Sequence, residues 1–218
     1  MYDSTINFTL DTMCPLTYLV KNRKWETKES IYTFTIVYRP YQLYPEASQE
    51  GEDRYEWYKK SRYGDSEEKM QTYITLMTAY GATASIDYKF NGTVANTLNA
   101  HRVIQYSQAK SGPAVADRLT SSLYRQYFEE EKHPSSKETL MTACQKAGIA
   151  EKEAADIIGD ASEGLVETKT AIREQASNGV DSVPYVAIEG RRRDLTIQGA
   201  SEVHDYFKAL NQIFKESV

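Results

Sequence analysis

The sequence has little cysteine, no long apolar run and no excess of positive charge, and each shortage excludes a class of protein. Its 218 residues include only two cysteines, Cys14 and Cys144, too few for a secreted disulfide framework and without metal-ligand spacing. No apolar run is long enough to span a bilayer, and the first residues lack the apolar core of a signal peptide. The net charge of -5 disfavours nucleic acid and anionic membranes as partners. We therefore expect a cytoplasmic protein without a metal, acting on a small-molecule metabolite or a thiol substrate.

The N-terminal part of the sequence predicts a strand, a helix and a second strand. Residues 6–10 alternate apolar and polar, which is the period of a strand. Pro15 suits the first turn of a helix, and apolar residues at helical spacing extend that helix to about Trp25. A second β-rich run covers 31–38. The order indicates a βαβ unit with Cys14 at the start of its helix.

The middle of the sequence, 53–159, predicts helices separated by short polar breaks. The Asn91-Gly92 pair marks a turn before a helix that is expected to carry Val94. Ser135 and Glu138 have the spacing of a capping box. We expect an all-helical unit inserted between two β regions.

The last part of the sequence predicts a helix, two strands and a final helix. The first helix runs from about Asp160 to Asn178. Two short β-rich runs, 183–188 and 195–197, are separated by a turn and indicate a hairpin. Apolar residues between 203 and 214 recur at helical spacing and predict an amphipathic C-terminal helix.

These features resemble a known family. A Cys14-Pro15 pair opening the first helix, with Val183-Pro184 ahead of a hairpin and a last helix, resembles the thioredoxin fold, and the inserted helices resemble the DsbA group. Further motifs are similar to the FrnE-like branch of that group, which is related to the 2-hydroxychromene-2-carboxylate isomerases and the kappa-class glutathione transferases. These motifs are Pro40-Tyr41-Gln42-Leu43-Tyr44-Pro45, Asn96-Thr97, Ala100-His101-Arg102, Val183-Pro184-Tyr185 and Gly199-Ala200.

The resemblance implies an α/β protein, a thioredoxin fold with a large all-helical insertion. The two halves of the thioredoxin-like domain are then 1–52 and 160–218, and the insertion is 53–159. The family's redox motif is Cys-x-x-Cys, whereas this sequence reads Cys14-Pro15-Leu16-Thr17. Because a second thiol is missing from the motif, a mixed disulfide at Cys14 has to wait for an outside thiol.

Cys14 and Thr17 are the predicted catalytic residues. The amides and the dipole at a helix start stabilise a thiolate, so we expect a lowered pKa for Cys14; the alternative is an inert buried cysteine. Thr17 lies on the same helical face and within reach of the Cys14 sulfur; the alternative is a helix-surface threonine in the space of a lost cysteine. Cys144, on an apolar helical face, is predicted to be a core residue.

The predicted binding residues come from several segments of the sequence. By the resemblance, Pro184 is a cis proline, and the Val183 backbone faces Cys14 and pairs with an extended peptide such as glutathione; the alternative is a purely structural turn proline. Tyr41 and Tyr44 are candidates for the wall of a pocket. The full set of candidates is Pro15, Tyr41, Tyr44, Asn96, His101, Val183 and Pro184.

Two further sites have competing interpretations. His101, beside Arg102, is either a proton carrier or a histidine that packs the helices. The run 191–193, three arginines at the hairpin turn, either steers an anion or is a solvated turn.

Three functions follow from these features. The first is a DsbA or FrnE-like thiol enzyme that uses Cys14 alone with glutathione as its cofactor. The second is a glutathione-dependent isomerase or transferase for a small, partly aromatic metabolite. The third is a binding module without catalysis. The sequence is compatible with a homodimer.

Overall fold

The computed structural model describes residues 3–22 and 33–217, and within these ranges the chain forms helices and short strands. The strands are β1 (Asp3–Leu10), β2 (Thr33–Pro40), β3 (Glu52–Asp53), β4 (Thr93–Val94), β5 (Tyr185–Ile188) and β6 (Leu195–Gln198). The helices are α1 (Pro15–Asn22), α2 (Arg54–Tyr63), α3 (Glu67–Thr83), α4 (Leu98–Ser111), α5 (Pro113–Phe128), α6 (Lys137–Ala147), α7 (Glu151–Gly159), α8 (Leu165–Ser177) and α9 (Val203–Ser217). The predicted end of the first helix and the predicted start of the second strand lie outside the described residues.

The larger sheet has the strand order β2-β1-β5-β6 in the described part of the chain. β1 runs parallel to β2 and antiparallel to β5, and β5 pairs with β6 as the predicted hairpin. Phe8 of β1 lies opposite Val186 of β5, and both side chains are buried. The apolar positions of β1 face the hydrophobic core, which includes Phe8 and Leu10. Thr9, on the other face, is also buried, and its hydroxyl donates to Gln175 Oε1 of α8 at 2.9 Å.

The middle of the chain is helical, apart from one small ribbon that the sequence analysis did not predict. β3 pairs with β4, with Glu52 opposite Val94, so the expected helix around Val94 is wrong and α4 begins only at Leu98. A side chain at Gly51 would meet Thr93 Cγ2 at 2.1 Å, so the ribbon needs a glycine here. A two-residue strand is too short to produce a recognisable alternation.

Two predicted helix starts are also wrong. α6 is capped by Ser136, which accepts a hydrogen bond from the Thr139 amide at 3.2 Å, because the Ser135 hydroxyl donates instead to the Asn96 carbonyl at 2.7 Å. α8 begins at Leu165 rather than near Asp160. The start of α6 therefore depends on a long-range partner of Ser135, which the local spacing of the sequence does not reveal.

Arg102 explains why the chain turns between α7 and α8. Its guanidinium is buried and donates to the carbonyls of Ile157, Asp160 and Glu163 at 2.7, 2.9 and 2.9 Å. These contacts satisfy carbonyls at and beyond the end of α7 that would otherwise lack partners. The turn residues 160–164 are thereby fixed to α4.

One end of the larger sheet brings three connections together. The turn 11–14 joins β1 to α1, the segment 41–45 follows β2, and Val183 and Pro184 precede β5. Because β1 lies between β2 and β5, these connections meet around the start of α1. The candidate residues of the sequence analysis are concentrated at this end.

Candidate functional site at Cys14

Cys14 lies at the start of α1, as predicted. Its amide donates to the Asp11 carbonyl at 3.0 Å, and its carbonyl accepts the first helical hydrogen bond from Tyr18 N at 3.2 Å. Leu19 and Val20, on the helix that follows, are buried and hold α1 against the core. The residue itself is only 4% exposed.

The thiol of Cys14 faces the segment that precedes β5. Its Sγ lies 3.6 Å from the Val183 carbonyl oxygen, and the peptide bond between Val183 and Pro184 is cis. Cys14 and Val183 are 169 positions apart in the sequence. The fold thus brings together the two parts of the predicted site that the resemblance implied.

Burial, rather than the helix start, dominates the ionisation of Cys14. Desolvation raises the pKa of the thiol from 9.0 to about 11, although hydrogen bonds from Thr17 and from the Leu16 amide favour the thiolate, and the Asp11 charge opposes it. The expected lowering of the pKa is therefore wrong for this structure. The physical reason is that a thiolate removed from water loses more hydration than these donors return.

Thr17 is held inside the protein beneath Cys14. Its Oγ1 lies 2.7 Å from the Cys14 carbonyl and 3.1 Å from the Asp11 carbonyl, and it accepts a hydrogen bond from the Tyr124 hydroxyl at 2.7 Å. The side chain is fully buried, so the interpretation as a helix-surface threonine is wrong. Thr17 supports the turn that carries Cys14.

Pro15 begins α1 next to the thiol and is half-buried. Its carbonyl accepts a hydrogen bond from the Tyr88 hydroxyl at 2.6 Å, which ties α1 to the segment after α3. Pro15 also borders a narrow apolar cavity whose lining includes Tyr58, Tyr73 and Phe128. The helix start is thus in contact with the aromatic side chains of the middle region.

Tyr41 and Tyr44 have separate contacts. The Tyr41 hydroxyl donates to the Asp181 carbonyl at 2.7 Å, two residues before Val183. The Tyr44 ring packs edge-on against Trp57, with centroids 4.4 Å apart, and burial raises the pKa of its hydroxyl, with a Cys14 thiolate acting in the same direction. The two tyrosines therefore connect the segment after β2 to different neighbours.

Asn96 fastens the segment after β2 to the start of α4. Its Oδ1 accepts hydrogen bonds from Gln42 Nε2 at 3.0 Å and from the Leu98 amide at 2.9 Å, and its Nδ2 donates to the Pro45 carbonyl at 2.6 Å. The contacts give Asn96 a positioning role.

His101 lies beneath the Cys14 turn and faces an acid that the sequence analysis missed. Its Nε2 is 3.5 Å from Oδ1 of Asp11. The Asp11 carboxylate is fully buried and accepts hydrogen bonds from the Leu43 amide at 2.7 Å and the Met13 amide at 3.3 Å. An acidic residue directly after a buried strand and three positions before a cysteine was the signal that was available.

Other groups are distant from this arrangement or serve elsewhere. Cys144 lies in the core of the helical region, as predicted. At the β5–β6 turn, Arg191 and Arg192 are exposed and Arg193 pairs with Glu216 at 2.7 Å.

In the part of the chain that the structure describes, no group of three acidic, histidine or cysteine side chains is suited to a metal ion. Nor does any helix there have the length and apolar character needed to cross a membrane.

Comparison with known proteins identifies the class to which this arrangement belongs. The sequence matches the DSBA-like thioredoxin domain over residues 5–211. The chain therefore belongs to the DSBA-like thioredoxin domain family, and the predicted family and α/β fold class are confirmed. No curated protein sequence matches the chain.

Solved structures with the same fold include oxidoreductases and an isomerase. A probable DsbA oxidoreductase from Streptomyces coelicolor superposes with a TM-score of 0.85 at 21% identity, covering 99% of this chain and 92% of the other. A 2-hydroxychromene-2-carboxylate isomerase gives 0.68 at 13% identity, covering 97% and 96%. The cytosolic disulfide reductase DsbM from Pseudomonas aeruginosa, in a structure with glutathione, gives 0.64 at 10% identity, covering 97% and 99%.

Proposed function

We propose that the protein is a monothiol oxidoreductase that exchanges disulfides with glutathione at Cys14. The observation that carries the proposal is the 3.6 Å contact between Cys14 Sγ and the Val183 carbonyl. An extended peptide that pairs with the backbone at Val183 brings its own sulfur to Cys14. Glutathione is a peptide of this kind, and one structural neighbour was solved with it.

The proposed reaction uses one protein thiol and two molecules of glutathione. The Cys14 thiolate attacks the glutathione sulfur of a mixed disulfide, a Cys14–glutathione bond forms, and the substrate thiolate leaves and takes up a proton. A second glutathione thiolate attacks the adduct, which releases oxidised glutathione and returns Cys14. No second protein thiol is required, which fits Thr17 at the position of the family's second cysteine. A reducing cytoplasm is the compartment that supplies glutathione, and we propose it as the location.

A second candidate function is glutathione-dependent isomerisation or transfer on a small, partly aromatic metabolite. Two observations favour it. Burial raises the pKa of Cys14 to about 11, so the thiol is protonated at neutral pH and is able to donate a hydrogen bond to the thiolate of bound glutathione. In that role the nucleophile is glutathione and Cys14 only orients it. The aromatic side chains around Tyr44 and Trp57 suit a partly aromatic substrate.

Replacement of Cys14 by serine distinguishes the two functions. For a monothiol oxidoreductase, Cys14→Ser should reduce exchange with a glutathionylated peptide by about 1,000-fold or more, because a serine hydroxyl cannot form the mixed disulfide. Mass spectrometry of the wild type after treatment with oxidised glutathione should show one glutathione on Cys14. Cys144→Ser is the matched control and should leave exchange unchanged.

Three outcomes contradict the first proposal. Exchange that persists in Cys14→Ser would remove Cys14 from the reaction. Glutathione-dependent turnover of an aromatic substrate that survives the same replacement would establish the second function instead. Binding of glutathione without turnover in either form would leave a binding module.

A further inference from the structure

A buried pair of ionisable side chains lies directly beneath the Cys14 turn. Asp11 is 0% exposed and His101 is 1% exposed, and Oδ1 of the first lies 3.5 Å from Nε2 of the second. They come from different parts of the chain, the end of β1 and the middle of α4. Their side chains pack against each other out of contact with water.

The contacts of the pair are asymmetric. Asp11 accepts backbone hydrogen bonds on both carboxylate oxygens, from Met13 and from Leu43. Neither ring nitrogen of His101 makes a hydrogen bond within the described residues. Burying an imidazole without hydrogen-bond partners is unfavourable in free energy, and so is burying a carboxylate without a counter-charge. An imidazolium facing the carboxylate relieves both costs.

The charge of Asp11 acts on Cys14. The two residues are linked by the 3.0 Å hydrogen bond from the Cys14 amide to the Asp11 carbonyl, and the Asp11 charge opposes the thiolate, adding to the effect of burial on the pKa of Cys14. A protonated His101 makes the pair neutral. It therefore removes the repulsion that a thiolate at Cys14 would otherwise meet.

The other ionisable groups around the pair are mainly tyrosines. Four tyrosine hydroxyls, two in the segment after β2 and two in α5, interact with the charge of Asp11: Tyr41, Tyr44, Tyr124 and Tyr127. Burial raises the pKa of each hydroxyl, and that of Tyr127 reaches about 12. They are uncharged at neutral pH. Farther out, Arg54 lies over the Tyr127 ring and Arg62 acts on Tyr44.

We propose that protonated His101, held by Asp11, is a positioning residue that provides the counter-charge for a thiolate in this site. The inference rests on the proposed function only in taking Cys14 as the reactive thiol. In the second candidate function, the same cation would favour the thiolate of bound glutathione.

Alkylation of Cys14 at different pH values tests the proposal without any assay of turnover. Iodoacetamide labelling, followed on the Cys14 peptide by mass spectrometry, gives the apparent pKa of this thiol. His101→Gln should raise that pKa by about one unit and slow labelling at neutral pH by about ten-fold, because Asp11 is left uncompensated. His204→Gln, at an exposed position of α9, is the matched control and should change nothing.

A double variant separates an electrostatic role from a structural one. In Asp11→Asn/His101→Gln the opposing charge is also gone, so labelling of Cys14 should recover most of the ten-fold loss. Damage to packing would instead add to that loss. An unchanged profile in His101→Gln, or no recovery in the double variant, would overturn the proposal.

The wild-type protein provides a test that does not depend on a folded variant. Nitrogen-15 chemical shifts of the His101 ring distinguish imidazolium from imidazole, and we expect imidazolium at neutral pH. A neutral ring at that pH would refute the counter-charge. A neutral His101 ring would not contradict disulfide exchange at Cys14. Conversely, exchange that persists in Cys14→Ser would refute the proposed function and would not change the result for His101.

Discussion

Cys14 and Cys144 are both buried free thiols, and burial raises the pKa of each to about 11. Their surroundings differ. Cys14 has a backbone carbonyl at 3.6 Å and amide donors from Leu16 and Thr17. Cys144 lies within α6 among apolar core residues. The comparison shows that burial sets the resting pKa of both thiols, whereas only Cys14 has polar groups that are able to stabilise an ionised or covalently modified sulfur.

The two cysteines also lie at opposite ends of their helices. Cys14 precedes the first turn of α1, where amide groups point toward it. Cys144 is in the last turn of α6, and its carbonyl accepts the capping hydrogen bond from Ile149 N at 3.0 Å, beside Gly148 with a φ of +83°. The positive end of a helix dipole favours a thiolate and the negative end disfavours it. Even equal burial therefore leaves the two thiols chemically different.

The largest expected effect comes from giving Cys14 a second thiol. Thr17→Cys recreates the family spacing directly below Cys14, so we expect disulfide reductase activity on insulin to rise by about 100-fold over the wild type. The matched control is Ala147→Cys, which creates the same spacing beside Cys144 in α6. It should produce no activity, because that site is in the core and at the wrong end of a helix.

Equal activity in the two variants would show that the surroundings of Cys14 and Cys144 do not make the two thiols chemically different. No gain in a folded Thr17→Cys protein would mean that the site does not accept a disulfide substrate. That result would favour the glutathione-dependent isomerase.

The dependence of stability on pH should show the shared effect of burial. Each thiol has a pKa of about 11 in the folded protein and 9.0 in the unfolded chain, so the folded state keeps its proton where the unfolded state has lost it. Each protonated thiol therefore contributes fully to the free energy of unfolding below about pH 9, and this contribution is lost as the pH rises toward 11. We expect a loss of about 2 to 3 kcal/mol per thiol in the free energy of unfolding.

Urea unfolding of the wild type, Cys14→Ala and Cys144→Ala at several pH values measures this effect. The tyrosines also ionise in this range, but they are common to all three proteins and cancel in the differences. Each variant should lose stability less steeply than the wild type. A slope unchanged in Cys14→Ala would show that this thiol is better solvated than the structure indicates.

The smallest effect concerns the support beneath Cys14. The Tyr124 hydroxyl lies 2.7 Å from Thr17 Oγ1 and 3.2 Å from the Asp11 carbonyl. Tyr124→Phe leaves these buried acceptors without that donor and should cost about 1 to 2 kcal/mol of unfolding free energy. Tyr80→Phe, where the side chain is 48% exposed, is the control and should be neutral. Equal stability of the two variants would show that the hydroxyl network does not hold the Cys14 turn.

Local patterns were sufficient for much of the fold. Alternation predicted β1, helical spacing predicted α1 and α9, and the paired β runs predicted the hairpin of β5 and β6. The β3–β4 ribbon, the Ser136 cap and the start of α8 were missed, because each depends on a partner far away in the chain. Ser135, for example, caps nothing because its hydroxyl reaches Asn96.

By itself, the sequence determined that Cys14 stands at a helix start, that position 17 lacks a thiol and that the chain belongs to a thioredoxin-like family. These are properties of neighbouring residues and of their order. Only the tertiary structure decided the electrostatics of the site. It buried Cys14 against Val183, raised the pKa of the thiol by desolvation and joined Asp11 to His101 across 90 positions of sequence. Burial and charge depend on every element that packs around a group, so no local pattern contains them.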